Sequence, residues 1–97
     1  MNENKQNRVP NNQQNFTEED AFNSQKFNHI VSNYMDVSIP KIKEKFGYKT
    51  TSLLQRIRNG KAYLTTVHML GLEHYFDIPM SIFEKDVPLE DIDRLID

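Results

Sequence analysis

A chain of 97 residues without cysteine, at a formal net charge of −2, has enough apolar residues for one small helical core but too few for a core plus a roomy enclosed active site. It excludes disulfides and the cysteine-based zinc knuckles that compensate for a small core in many nucleic-acid modules. No apolar run approaches a membrane span and no basic-then-apolar leader is present, so a cytoplasmic protein with no membrane contact is expected.

The small net charge hides a strong segregation. Residues 1–36 carry three basic and five acidic groups, 37–61 carry seven and one, and 62–97 carry two and eight. A polyanion responds to the local field more than to the total, so the basic quarter of the chain is where such a partner would bind.

Residues 1–15 are rich in Asn and Gln, with Val9 the only apolar residue after Met1 and Pro10 beside it. So little apolar surface cannot offset the entropy of ordering, and a disordered tail is expected. Lys5 and Arg8 are a faint basis for an arm along DNA. Thr17 followed by Glu18, Glu19 and Asp20 is a helix start, a hydroxyl cap with carboxylates where the helix dipole favours them. As an acid–base pair these carboxylates are poor, because nothing in an exposed first turn shifts their pKa values. Phe27, Ile30, Val31 and Tyr34 then follow the spacing of one buried stripe, on a helix that either runs unbroken from Glu18 to Met35 or breaks near Asn23-Ser24.

Ser38 is placed to cap a second helix, with Pro40 in its first turn where the missing N–H does no harm. Ile42 and Phe46 share a face and Gly47 ends the run. Thr50 is placed to cap a third helix with Leu53, Leu54 and Ile57 as its buried stripe, and Asn59-Gly60 supplies residues that tolerate a left-handed C-terminus. Two short helices with marked ends and a tight connection outline a helix-turn-helix. Lys41, Lys43, Lys45, Lys49, Arg56, Arg58 and Lys61 surround its apolar seam.

Thr65-Thr66 offers the next cap, before a helix whose Val67, Leu70, Tyr75 and Phe76, with Met69 and Leu72, predict a wide buried face. Gly71 lowers helix propensity by up to about 1 kcal/mol relative to Ala, or permits close packing. His68, Glu73, His74 and Asp77 lack the spacing of a metal site, and His29 stands alone, so satisfied or exposed side chains are expected. After Ile78-Pro79, Met80, Ile82 and Phe83 fold back over the core. A last helix over 88–96 carries Leu89, Ile92, Leu95 and Ile96 on one side, a strip that either closes the core or pairs with a second copy; a symmetric dimer is the favoured reading. The glycines at 47, 60 and 71 form no phosphate loop, and no nucleophile elbow or metal cluster is present, so no enzyme and no cofactor are expected.

Gly47-Tyr48-Lys49-Thr50-Thr51-Ser52, followed by Leu54, Ile57 and Asn59-Gly60-Lys61, resembles the helix-turn-helix of the Xre/Cro phage-repressor family. The likeness can be followed from Phe27 to Phe83, and Tyr75 to Phe83 is similar to that family's exit from its fourth helix. The resemblance implies an all-α, five-helix DNA-binding domain over residues 16–97, with the helix-turn-helix at 39–60 and a short last helix at 88–96. It implies a sequence-specific, double-stranded DNA-binding transcriptional regulator, repressor-like and dimeric, with a recognition helix at 50–59 in the major groove. Carried over by position, Thr51, Ser52 and Arg56 face bases, with Gln55 beside them. Arg56 is the strongest, because a guanidinium can bond two acceptors of a guanine. Lys49, Thr50, Asn59 and Lys61 fall at phosphate positions, and Arg58 adds a cation near them.

The chain departs from the family pattern at three places. Ile39 stands where the family usually has Gln, Lys43 where it prefers a small residue, and Arg58 where it has Glu. Lys43 can lay its stem across the seam, and Ile39 is a candidate protein contact. Those departures and the acidic last third keep an alternative open: a protein–protein interaction module on the same scaffold, its basic face meeting an acidic partner, including an antitoxin-type or phage immunity regulator.

Overall fold

Thr17 caps the first helix as the sequence predicts. Its hydroxyl accepts the N–H of Asp20 at 3.1 Å while the Asp20 carboxylate accepts the N–H of Thr17 at 3.0 Å, so two backbone donors that a helix start leaves unpaired are satisfied reciprocally. From this cap α1 runs unbroken through Glu18–Asn33, with no interruption at Asn23-Ser24. A computed structural model describes residues 16–96, so the tail expected over 1–15 lies outside the described residues, as does Asp97. Within them the chain is all helical and compact, with α2 at Ile39–Phe46, α3 at Ser52–Arg58, α4 at Thr66–Phe76, α5 at Ile92–Ile96, and 3-10 turns at Met35–Val37, Met80–Phe83 and Leu89–Asp91. None of these helices is long and apolar enough to cross a membrane.

One core joins all five helices. Phe27 and Ile30 of α1, Ile39 and Ile42 of α2, Leu54 and Ile57 of α3, Leu72 of α4 and Ile92 of α5 are buried together, closed by Ile78, Ile82 and Phe83. Ile39 is therefore a core residue, which corrects its reading as a surface contact. Ser38 occupies the cap position of α2 without a side-chain hydrogen bond, and Pro40 lies in the first turn as expected. Gly47 ends α2 at φ +75°, a conformation that costs glycine little.

In α4, Thr65 caps as expected, but the face it buries differs from the expected one. His68 and Leu72 are buried and Met69 and Phe76 pack against the core, whereas Val67, Leu70 and Tyr75 are 72%, 51% and 47% exposed. The helix docks through Gly71: a Cβ there would lie 2.5 Å from Cζ of Phe46. The Phe46 ring thus fills the space that any other residue at 71 would need, and this contact turns Val67 and Tyr75 outward.

The last segment also departs from expectation. Of the strip read as a dimer contact, Ile92 is fully buried, Leu89 and Ile96 pack against the core, and only Leu95 is exposed. The strip closes the chain's own core. Asp93 fastens it, accepting hydrogen bonds from the Tyr34 hydroxyl and from His29 Nε2, the latter at 2.9 Å. These two bonds, Tyr34's first, hold the Asp93 carboxyl below the usual carboxylate range.

Lys26 has no counterpart in the sequence reading. It is fully buried on α1, where its ammonium donates to the carbonyls of Ile82 and Glu84, each at 2.7 Å, and lies 4.3 Å from the centroid of the Phe22 ring. Burial pushes its pKa down, opposed by the carboxylates of Asp86, Glu19 and Glu84. The side chain ties α1 to the turn that covers the core.

Candidate nucleic-acid interface

Leu54 and Ile57 point α3 into the core, so the opposite side of the helix is fixed as an outer face. That face presents Ser52, Gln55, Arg56 and Asn59, all exposed, with Thr51 half-buried at its start. The helix begins later than the sequence suggests. The cap is Thr51 rather than the expected Thr50: Thr51 takes the cap position without a side-chain bond, while Thr50 Oγ1 accepts the N–H of Ser52 at 3.3 Å. The helix spans Ser52–Arg58 rather than 50–59.

Leu53 corrects the expected buried stripe. It is 37% exposed and sits among the polar residues of the outer face. An exposed leucine between Ser52 and Arg56 gives that face an apolar element of the kind that meets a thymine methyl. The missed signal lay in the pattern: with Leu53 and Leu54 adjacent, only one of the two can point inward on so short a helix.

Arg56 and Arg58 have different partners. The Arg56 guanidinium bends back to the carbonyl of Lys61 at 3.2 Å, a single exposed bond that is easily exchanged for another acceptor. Arg58 is braced on α1, donating from Nε to Asn28 Oδ1 at 2.9 Å and from a terminal nitrogen to Ser32 Oγ at 3.4 Å. It joins the end of α3 to α1, so part of its guanidinium is already engaged within the chain. Beside it runs a groove of about 330 Å³ whose lining includes Phe16 and Ala21 as well as Gln25, Asn28, Arg58 and Asn59. Ser24, although buried, has no hydrogen-bond partner for its hydroxyl among the described residues.

Lys49, Thr50, Asn59 and Lys61 are exposed at the two ends of α3, with Lys41 and Lys45 exposed along α2 and Lys43 half-buried. Lys41 reaches Asp36 at 3.6 Å in a surface pair of little energetic weight. Between Glu44 and Glu73 the chain contains no carboxylate, so nothing within that stretch neutralises these cations.

The connection before α3 is held by aromatic packing and one histidine. Tyr48 packs edge-on against Phe46 at 5.6 Å between ring centroids, and its hydroxyl lies 3.2 Å from His68 Nε2. His68 Nδ1 accepts the N–H of Thr65 at 3.0 Å, which places the neutral ring's proton on Nε2 and makes Tyr48 its acceptor. Burial pushes the His68 pKa down. The unfolded chain binds this proton near the ordinary value of about 6.5 while the folded chain still resists it, so stability should fall as pH drops through that value. His68→Gln can keep both bonds without titrating. Urea midpoints measured between about pH 5 and 8 should fall more steeply on the acid side for the parent than for His68→Gln, and parallel curves would contradict the assignment.

No protein-family model, no curated protein and no solved structure matches this chain.

Proposed function

We propose that the chain is a sequence-specific double-stranded DNA-binding regulator of repressor type that lays α3 in the major groove. The observation that carries this reading is the outer face of α3: Ser52, Leu53, Gln55 and Arg56 stand exposed on a helix anchored from behind, with Lys49 and Lys61 exposed at its two ends, Lys45 exposed on α2, and no carboxylate in the sequence between Glu44 and Glu73. A short exposed helix end with hydrogen-bonding side chains is what the major groove admits, and flanking cations are what phosphates bind. Lys49, Thr50, Asn59 and Lys61 are assigned to phosphate. Arg56, Gln55, Ser52 and Thr51 are assigned to base edges, and Leu53 joins them.

Arg56→Ala is expected to cost roughly 1–3 kcal/mol on a selected site and to relax preference at one base position. Fluorescence anisotropy on that site and on single-base variants measures both effects. Equal affinity of the two proteins for every duplex would remove α3 from the base-reading role.

A second reading, a protein-interaction module on the same scaffold, draws on the exposed apolar line of α4. Protein that shifts no duplex at low salt yet holds a discrete acidic protein partner would favour it.

A further inference from the structure

Ala21, Ser24, Gln25 and Asn28 repeat at helical spacing, so beside its core face α1 carries a second stripe, of small and amide side chains. The end of α3 comes against that stripe through Arg58, and between them lies the groove of about 330 Å³. Phe16, with its ring centroid 5.3 Å from that of Tyr63, gives the groove an apolar wall.

The polar groups of the groove are mostly donors. Asn28 Oδ1 already accepts from Arg58 Nε at 2.9 Å and from the Ser32 hydroxyl at 3.2 Å, so what Asn28 still offers is its amide N–H groups. Arg58 uses Nε and one terminal nitrogen on Asn28 and Ser32, and its other terminal nitrogen has no hydrogen bond among the described residues. Gln25 and Asn59 add exposed amides. Ser24 lines the groove as well, and its buried hydroxyl lacks a partner among the described residues, a costly state that a bound acceptor would relieve. Arg58, half-buried, is the one charged residue in the lining among the described residues. Amide donors gathered round a single guanidinium, with no carboxylate among them, suit an anion with several acceptor oxygens.

We propose that this groove binds a small organic oxyanion, a carboxylate or a phosphate monoester, whose oxygens bond the free edge of Arg58 and the Asn28 amide and whose apolar body lies against Phe16. The guanidinium is held by Asn28 and Ser32 before any ligand arrives, so little freedom is lost when it binds one. A volume of about 330 Å³ lies at the small end of ligand sites and suits a single-ring compound. The site goes beyond the DNA reading and does not rest on it. Combined with that reading, an anion held beside Asn59 would repel the phosphate assigned there, so the two ligands should oppose each other.

Titration of the full chain without DNA tests the site by heteronuclear NMR, with benzoate, phenyl phosphate and benzamide each taken to about 50 mM at constant ionic strength. Benzamide keeps the ring and lacks the charge. An anion should give saturating shifts at the amides of Ser24, Gln25, Asn28, Asn59 and Gly60 and at Arg58 Nε, with a Kd of about 10 mM or tighter for so small a ligand. Saturation by either anion upholds the site, and the tighter of the two names the head group. Benzamide should bind at least roughly tenfold more weakly. Gln25→Glu, at an exposed position, sets a carboxylate against the ligand, and far-UV circular dichroism should be unchanged. Arg58→Lys keeps the charge and removes the planar pair of donors. Each should weaken anion binding by at least roughly tenfold. Shifts that stay linear throughout, that spread instead over Lys41, Lys45, Lys49 and Lys61, that benzamide reproduces, or that both substitutions leave intact overturn the proposal.

Discussion

Replacing Lys26 by methionine should lower the stability of the fold by roughly 1–3 kcal/mol, a large loss for a residue that the sequence marks as surface. Methionine preserves the length and flexibility of the buried stem, so the exchange isolates the ammonium. What remains is a pair of carbonyls, on Ile82 and Glu84, that have lost a charged donor, the first of them buried. Relief from burying a charge offsets part of that loss, because burial already pushes the Lys26 pKa down. The Ile82 carbonyl decides the sign, since an orphaned buried acceptor costs more than an ordinary hydrogen bond contributes, whereas the Glu84 carbonyl keeps the Val87 N–H at 3.1 Å. A urea midpoint that falls at unchanged slope, with faster amide exchange in the 80–84 turn, is the expected result. Parent-like stability would mean that the turn is held by Ile82 and Phe83 alone.

Removing three exposed cations should abolish most DNA affinity without touching the fold. Each phosphate contact releases close to one counterion, which at 0.1 M salt corresponds to about one decade in binding constant. Lys45, Lys49 and Lys61 lie outside the core, so the triple alanine variant should fold as the parent does. Its affinity for any duplex should fall by roughly 10²–10³ at 0.1 M salt, with the slope of log K against log salt flatter by about three. Circular dichroism and anisotropy titrations at several salt concentrations read both. An unchanged slope would show that these lysines face solvent alone.

Local chemistry made much of the fold legible. Thr17 and Thr65 carry their capping role in the residues that follow them, Gly47 and Gly60 carry the positive φ that ends α2 and the turn after α3, and Phe27, Ile30 and Ile42 declare the core by spacing. Contacts distant in sequence were not legible. Lys26 meets a carbonyl 56 residues away, and no periodicity marks a lysine as buried. α4 is apolar on nearly every side, so its pattern cannot choose a face; the Phe46 ring against Gly71 makes the choice. Thr50 was the expected cap of α3 and Thr51 takes that position, because neighbouring hydroxyl residues look alike to a capping pattern. At the candidate site the basic quarter and the exposed residues of α3 could be read from sequence. The brace from Arg58 to α1 and the outward turn of Leu53 could not, because both depend on how α3 docks.

Selection of binding duplexes from a random-sequence pool, sequenced after rounds at low and at moderate salt, tests the DNA assignment most directly. The account predicts an enriched sequence motif whose recovery falls steeply between the two salt concentrations, as expected for base reading by α3 supported by phosphate contacts. No enrichment at either salt would contradict it.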